Sequence, residues 1–405
     1  MTMHSTSQDS PGNVESDRVA ELRRRLEALL GIPASEGNEL TLLKNGDQIF
    51  PSMLAAIRSA ERTIDFLTFV YWKGDIAREF GDALAERSAA GVQVRVLIDA
   101  IGGRLIDNDL IDHMTDSGVQ VEWFRKPFSI AQITSPLKQN HRTHRKVLVV
   151  DERIGFTGGV GIAEEWCGDA RDQTEWRDTH VRVVGPAVDG LAASFAQNWA
   201  ETGHPLIDEH RQFPQHETAG TGGSIVQVAR GSASVGWNDM ATVFRVMIES
   251  AQDRLRMMTA YFVPDACFQQ LLIDAVERGV QVDLMLPGPH ADKRICQFAS
   301  ESIYSTLAEG GVRIWAFQPS MLHAKVLTVD GVASVVGSAN MNRRSMNHDE
   351  EVVLSVLDPV VTRRLEQDFD DELERCVRLD PQRWADRSLA QKAQEKATRV
   401  LHHFF

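Results

Sequence analysis

Apolar positions recur along the chain with two periods, near 3.6 and near 2. Val19, Leu22, Leu26 and Leu29 share one helical face, and Gly31 and Pro33 end that helix. The polar residues before it, up to about Asp17, read as a disordered leader. From Leu40 onward, helix and strand patterns alternate. Residues 53–72 read as a helix then a strand, and residues 76–103 as a helix, a turn at Gly91 and a strand. The same order returns over 243–265 and 267–288, where "RGVQVDLML" echoes the earlier "AGVQVRVLI". "SGVQVEWF" at 117–124 has its partner in "GGVRIWAF" at 310–317. This is an internal duplication of about 190 residues. It predicts an α/β fold of two tandem α/β/α sandwich copies, related by pseudo-two-fold symmetry with a site at their seam. The expected divisions are a leader and amphipathic helix over 1–37, a first copy over 38–203, a Gly/Pro/Thr-rich linker over 204–224, a second copy over 225–380 and a tail over 381–405.

The duplication carries a motif. His144 and His323 lie 179 positions apart, as do Lys146 and Lys325, Asp151 and Asp330, and Gly158 and Gly337. Each copy therefore holds H-x-K-x4-D followed by a glycine-rich return. Residues i and i+2 of a strand face the same way, so each His–Lys pair projects together. The motif makes His144, Lys146, Asp151, His323, Lys325 and Asp330 the candidate catalytic set. Asp151 and Asp330, however, fall where hairpin turns are expected and are not expected to touch substrate. Two lysines repel a divalent cation, so neither a metal nor another cofactor is expected. An anion suits them. A phosphodiester held by Lys146, Lys325 and backbone amides near Gly158, Gly159, Gly337 and Ser338 would leave two imidazoles for nucleophilic attack and proton donation. The predicted chemistry is metal-independent phosphoryl transfer through a phosphohistidine.

Composition narrows the partners. The chain has 405 residues, 43% hydrophobic and 25% charged, enough for two packed domains. A net charge of −14 argues against nucleic acid as the main partner, since counterion release needs a broad cationic footprint. Cys167, Cys267, Cys296 and Cys376 are widely spaced, as free thiols in a reducing compartment would be. No signal peptide and no apolar run long enough to span a bilayer is evident, so a cytoplasmic protein is expected. The tail over 383–405 carries five Lys or Arg against two acids and ends in apolar residues, suiting an anionic membrane surface. "FRKPFSIAQITSPLK" at 124–138 could form a lip through which lipid enters.

At these residues the chain resembles the phospholipase D superfamily, whose signature is the duplicated H-x-K-x4-D, and within it the bacterial cardiolipin synthases. The resemblance extends over roughly 38–380 through "NGDQIFPSMLAAI", "NHRTHRKVLVVD", "WRDTHVRVVGPAV", "AYFVPD" and "GSANMNRRSMNHDEE". It implies a phosphatidyltransferase, peripheral on the inner face of the cell membrane, that forms cardiolipin and glycerol from two phosphatidylglycerols. The alternatives are a phosphodiesterase of the same superfamily, hydrolysing phospholipid or nucleic acid, and a non-catalytic lipid-binding relative. It further implies that Asp178 and Glu351 orient the two histidines and that Asn340 contacts phosphate. His144 matches the usual nucleophile and His323 the proton donor, with the assignment open at this level. Two positions depart from the pattern: Gly161 stands where relatives carry Asn, and Asp349 likewise. His141 is expected at the pocket rim and His180 as a packed histidine. Neither donor and acceptor, acyl preference nor oligomeric state is legible.

Overall fold

The computed structural model describes residues 11–126, 141–207, 214–216, 223–232 and 237–385. The expected lip, most of the linker and the tail beyond Ala385 lie outside the described residues. An initial helix α1 (Pro11–Leu30) precedes the first half. That half runs β1 (Ser35–Lys44), α2 (Asn45–Arg58), β2 (Thr63–Thr68), α3 (Asp75–Ala89), β3 (Gln93–Asp99), α4 (Asn108–Asp116) and β4 (Gln120–Phe124). It closes with β5 (Val147–Val150), β6 (Ile154–Gly158), β7 (Thr179–Val184) and α5 (Val188–Ala200). The second half repeats the plan as β8 (Ser224–Ser232), the short β9 (Trp237–Asn238), α6 (Met240–Ser250), β10 (Arg254–Thr259), α7 (Ala266–Glu277), β11 (Gln281–Pro287), α8 (Arg294–Glu309) and β12 (Arg313–Phe317). Then follow β13 (Lys325–Val329), β14 (Ala333–Gly337), α9 (Arg343–Asn347), β15 (Glu351–Leu357), α10 (Pro359–Leu373), β16 (Cys376–Arg378) and α11 (Pro381–Ala385).

The strand order is palindromic. From one edge it reads β4-β3-β2-β5-β6-β7-β1, and from the other, inside β16, β12-β11-β10-β13-β14-β15-β8. The predicted duplication is thus present strand for strand. In each half three strands are parallel, because helices cross between them, and the motif strand joins antiparallel: Leu67 opposes Val147, and Thr259 opposes Lys325. The carboxyl ends of β2, β3 and β4 therefore meet the start of β5, and the second half does the same with β10 to β13. This shared edge is the site end of both halves.

The inner faces of the two halves share one core, in which Leu67, Val147 and Val181 pack with Met258, Val326 and Leu354. Helices α2, α3 and α4 cover the outside of the first half, and α6, α7 and α8 that of the second. Two features depart from expectation. Helix α1 begins at Pro11, inside the expected disordered leader. Its Leu22, Leu26 and Leu30 bury against the second half, and Arg18 pairs with Asp330 at 3.0 Å. The first copy also carries an insertion: Phe124 precedes His144 by 20 residues, whereas Phe317 precedes His323 by 6. The expected lip falls in it, which reconciles the 190-residue repeat with the 179-residue motif spacing.

Candidate active site

His144 lies three residues before the start of β5 and His323 two before that of β13, and each is bonded to the opposite half. The His144 amide donates to the Glu350 carbonyl at 2.9 Å, and the Glu350 amide to the Arg142 carbonyl at 2.8 Å. The mirror arrangement joins the His323 amide to the Arg177 carbonyl at 2.7 Å and the Arg177 amide to the Met321 carbonyl at 2.9 Å. The side chains cross too. His144 Nδ1 lies 3.0 Å from Glu351 Oε1, and His323 Nδ1 lies 2.7 Å from Asp178 Oδ2. Each imidazole thus meets a fully buried carboxylate contributed by the other copy. A carboxylate accepting from Nδ1–H fixes the tautomer and leaves the Nε2 lone pair free for chemistry.

The carboxylates are themselves held. Trp166 Nε1 donates to Asp178 Oδ2 at 2.9 Å, and the Thr179 amide to Oδ1 at 2.8 Å. Asn45, at a positive φ of 58°, accepts the Asp178 amide on its Oδ1 and donates its own amide to the Asp178 carbonyl. A side chain at Gly46 would collide with the Trp166 carbonyl, and one at Gly159 with the Asp178 carboxylate. The "NG" that opens "NGDQIFPSMLAAI" thus serves to seat Asp178 and Trp166. Glu351 instead receives two hydroxyls, from Ser338 and, at 2.6 Å, from Ser345.

Lys146 Nζ donates to the His144 carbonyl at 2.7 Å, and Lys325 Nζ to the His323 carbonyl, with the ammonium 3.2 Å from His323 Nε2. Burial, joined by Lys146, holds His144 below the usual histidine range; burial and Lys325 push His323 down to about 3. Burial also lowers Lys146 to about 7 and Lys325 to about 8. Burial alone would raise Glu351, but His144, Lys146 and Ser338 outweigh it and bring it to about 2. With neutral imidazoles, two ammonium groups face two carboxylates. The balanced site has room for one further negative charge, because dispersed phosphate oxygens gain from both ammonium groups at once. Aromatic rings wall it: Phe69 meets His144 edge-on at 5.3 Å, and Trp166, Trp176 and Tyr261 surround His323 at 5.1, 5.4 and 6.2 Å.

Several expected residues take other places. Asp151 accepts the amides of Glu61, Arg62 and Thr63, and Asp330 those of Gln252, Asp253 and Arg254. Four residues of strand, about 3.3 Å each, separate them from their lysines. They clamp the starts of β2 and β10 and do not join the histidines. Nor are the glycine returns free amides for phosphate. The Gly159 amide donates to Thr179 and that of Ser338 to Val352, while Gly158 and Gly337 pair within the sheets opposite His180 and Val353. Asn340 retains a buried Oδ1 without a partner. Gly161 has its reason in packing: a Cβ there would stand 2.6 Å from that of Val70. Asp349 pairs with Arg344 at 2.6 Å. His141 bonds the His348 carbonyl at 2.7 Å, away from the dyads, and His180 is buried, with an Nδ1 that has no partner. Trp166, Trp176, Phe69 and Tyr261 carried no assignment from sequence; two tryptophans in the polar loop 164–176 were the available signal. No group of three or more metal-binding side chains occurs among the described residues.

A duplicated α/β fold with crossed His–carboxylate dyads and paired lysines defines a two-copy phospholipase D-type protein. Residues 53–175 and 244–373 match the family described as cardiolipin synthase, PLD-like domain, and the chain belongs to that family. It is 33% identical over 385 residues to cardiolipin synthase 2 of Bacillus anthracis, covering 94% of this chain and 74% of that protein. It is 34% identical over 347 residues to cardiolipin synthase A of Pseudomonas fluorescens, covering 85% and 70%. The crystal structure of phosphatidylserine synthase from Haemophilus influenzae shares the fold, with a TM-score of 0.71 at 16% identity, over 95% of this chain and all of that one.

Proposed function

We propose that the protein is a phosphatidyltransferase that joins two phosphatidylglycerols into cardiolipin and glycerol through a phosphohistidine. The observation that carries this reading is the pair of crossed dyads, which supplies two imidazoles of defined tautomer beside two ammonium groups. Nε2 of His144 attacks phosphorus while His323, neutral in the empty site and taking up a proton as the bound phosphate offsets the charge of Lys325, gives that proton to the departing glycerol oxygen. His323, now neutral, takes the proton of a second phosphatidylglycerol hydroxyl, whose oxygen attacks the phosphohistidine and frees His144. Lys146 and Lys325 hold the phosphate oxygens throughout, and Asp178 and Glu351 stabilise the imidazoles as they charge. The names of the similar synthases support cardiolipin as the product.

No helix among the described residues is long and apolar enough to cross a membrane. The lipid is reached from a surface on the inner face of the cell membrane. Exposed Ile101 and Leu105 beside Arg104, and exposed Ile295 beside Lys293 and Arg294, follow β3 and β11 at the site end of the two halves. Apolar side chains flanked by cations suit an anionic bilayer. The test is purified protein with phosphatidylglycerol vesicles, from which cardiolipin and free glycerol should appear in equal amounts. Phosphatidic acid as the dominant product would overturn the synthase reading and leave a hydrolase.

A further inference from the structure

The two histidines are enclosed to different degrees. Among the described residues Phe69 alone gives His144 a ring contact, whereas Trp166, Trp176 and Tyr261 all stand around His323. The His323 side chain accordingly keeps 6% exposure against 12% for His144. The three rings are anchored from both halves. Trp166 is buried and bonded to Asp178, and Trp176 meets it edge-on at 4.5 Å. The Trp176 amide donates to the Glu165 carbonyl at 2.6 Å, and the next amide, that of Arg177, ties the loop to Met321 of the second half. Tyr261 is held by its hydroxyl on Asp292 at 2.8 Å and by Lys293 Nζ, 4.9 Å from the ring centre. Trp176 and Tyr261 are only half-buried and form the outer part of this wall.

Enclosing one histidine more than the other matters because attack has a direction. A phosphohistidine on His144 is opened by an oxygen that arrives opposite the P–N bond, which is the side of His323. That oxygen attacks phosphorus, its proton goes to His323 Nε2, and the P–N bond breaks to return its electron pair to His144. Water and a lipid hydroxyl can both take this step: water yields phosphatidic acid, and the lipid yields the new phosphodiester. Water is far more abundant, so the outcome depends on which of the two reaches His323. Ring faces give water no strong hydrogen bond, whereas the carbon skeleton of an alcohol packs against them. We propose that Trp166, Trp176 and Tyr261 form a dry wall at His323 that admits the lipid alcohol ahead of water, so that these rings select transfer over hydrolysis. It rests on the phosphohistidine reading, with His144 as nucleophile and His323 as base. Phe69 lies beside Lys146 Nζ, 5.5 Å from its ring centre, on the side from which no productive attack comes. Its contribution therefore falls on the rate of both outcomes alike.

The test is the ratio of phosphatidic acid to cardiolipin formed from phosphatidylglycerol vesicles. Trp166 stays in place, because its indole also holds Asp178. Trp176→Ala and Tyr261→Ala should each raise the ratio about tenfold, while Trp176→Phe, which keeps a ring, should stay within about threefold of wild type. Phe69→Ala should lower both products together and leave the ratio unchanged. Rings that served only the fold would lower both products together in every variant. A ratio that stays at the wild-type value in Trp176→Ala and Tyr261→Ala, or that Phe69→Ala raises as much, would overturn the inference. Where thermal unfolding shows an alanine variant to be unfolded, Trp176→Leu and Tyr261→Leu carry the same expectation. Wild-type protein that yields mainly phosphatidic acid would overturn the wall together with the synthase reading, whereas cardiolipin from wild type with unmoved ratios in the variants overturns the wall alone.

Discussion

At the residue scale the site works by matching each cation to a buried partner. Asp178→Asn and Glu351→Gln keep the shape of the dyads but remove the charge that stabilises an imidazolium. Each should lower kcat by about 10²–10⁴ with little change in KM, measured by cardiolipin formation. The lysines make a separate prediction about pH. Lys146 at about 7 and Lys325 at about 8 hold an anion only when protonated, so affinity falls as pH rises through both values. Sulfate keeps its charge over this range, and its inhibition constant should rise at least about tenfold from pH 7 to 9. His323 acts on stability in the acid direction. Its folded value of about 3 lies below the ordinary 6.5, so the unfolded chain takes up the proton first. The associated stability is complete above pH 6.5 and is lost progressively toward pH 3, by about 2 kcal/mol on reaching pH 5. Urea unfolding of wild type and His323→Asn at both pH values measures it, and the variant should show the smaller loss. The histidines and lysines were legible because duplication doubled a pattern that is common when single. Trp166 and Asn45 were not, because their task is to hold Asp178 from more than ten residues away in sequence.

At the element scale, the spacing of H-x-K-x4-D is the length of a strand. The histidine sits at the mouth, the lysine just inside, and the aspartate at the far turn, where it gathers three amides from the start of the neighbouring strand. Asp330→Ala leaves those amides without their acceptor and takes from Arg18 one of its three. It should cost about 1–3 kcal/mol of stability while kcat stays within about threefold at a temperature where the variant is folded. Thermal unfolding and an assay at that temperature separate the two effects. Strand and helix order was readable because period and turn residues act locally. The attachment of α1 to the second half was not, since an amphipathic face states that it must be buried and is silent about where. The free-amide role of the glycine returns failed for a related reason: Gly159 and Ser338 lie just past the ends of β6 and β14, and their amides go to neighbouring strands that only the sheet assigns.

At the scale of the whole molecule, neither half owns a complete dyad. Residues 1–203 and 204–405 produced separately should each be inactive, and activity should return only on reassociation; turnover by either half alone would show that the crossed bonds are dispensable. Activity should survive chelators in detergent micelles, because the ammonium groups occupy the place a metal would need; loss with EDTA and recovery with Zn²⁺ would contradict this. The crossing also has a consequence for synthesis on the ribosome. Glu351 follows His144 by 207 residues, a delay of about 10–40 s at the usual 5–20 residues per second. Throughout that interval the emerging polypeptide holds a nucleophile that nothing orients, next to messenger RNA and ribosomal RNA rich in phosphodiesters. A product released early from a broken message is equally harmless, so the cell is never exposed to half of this chemistry.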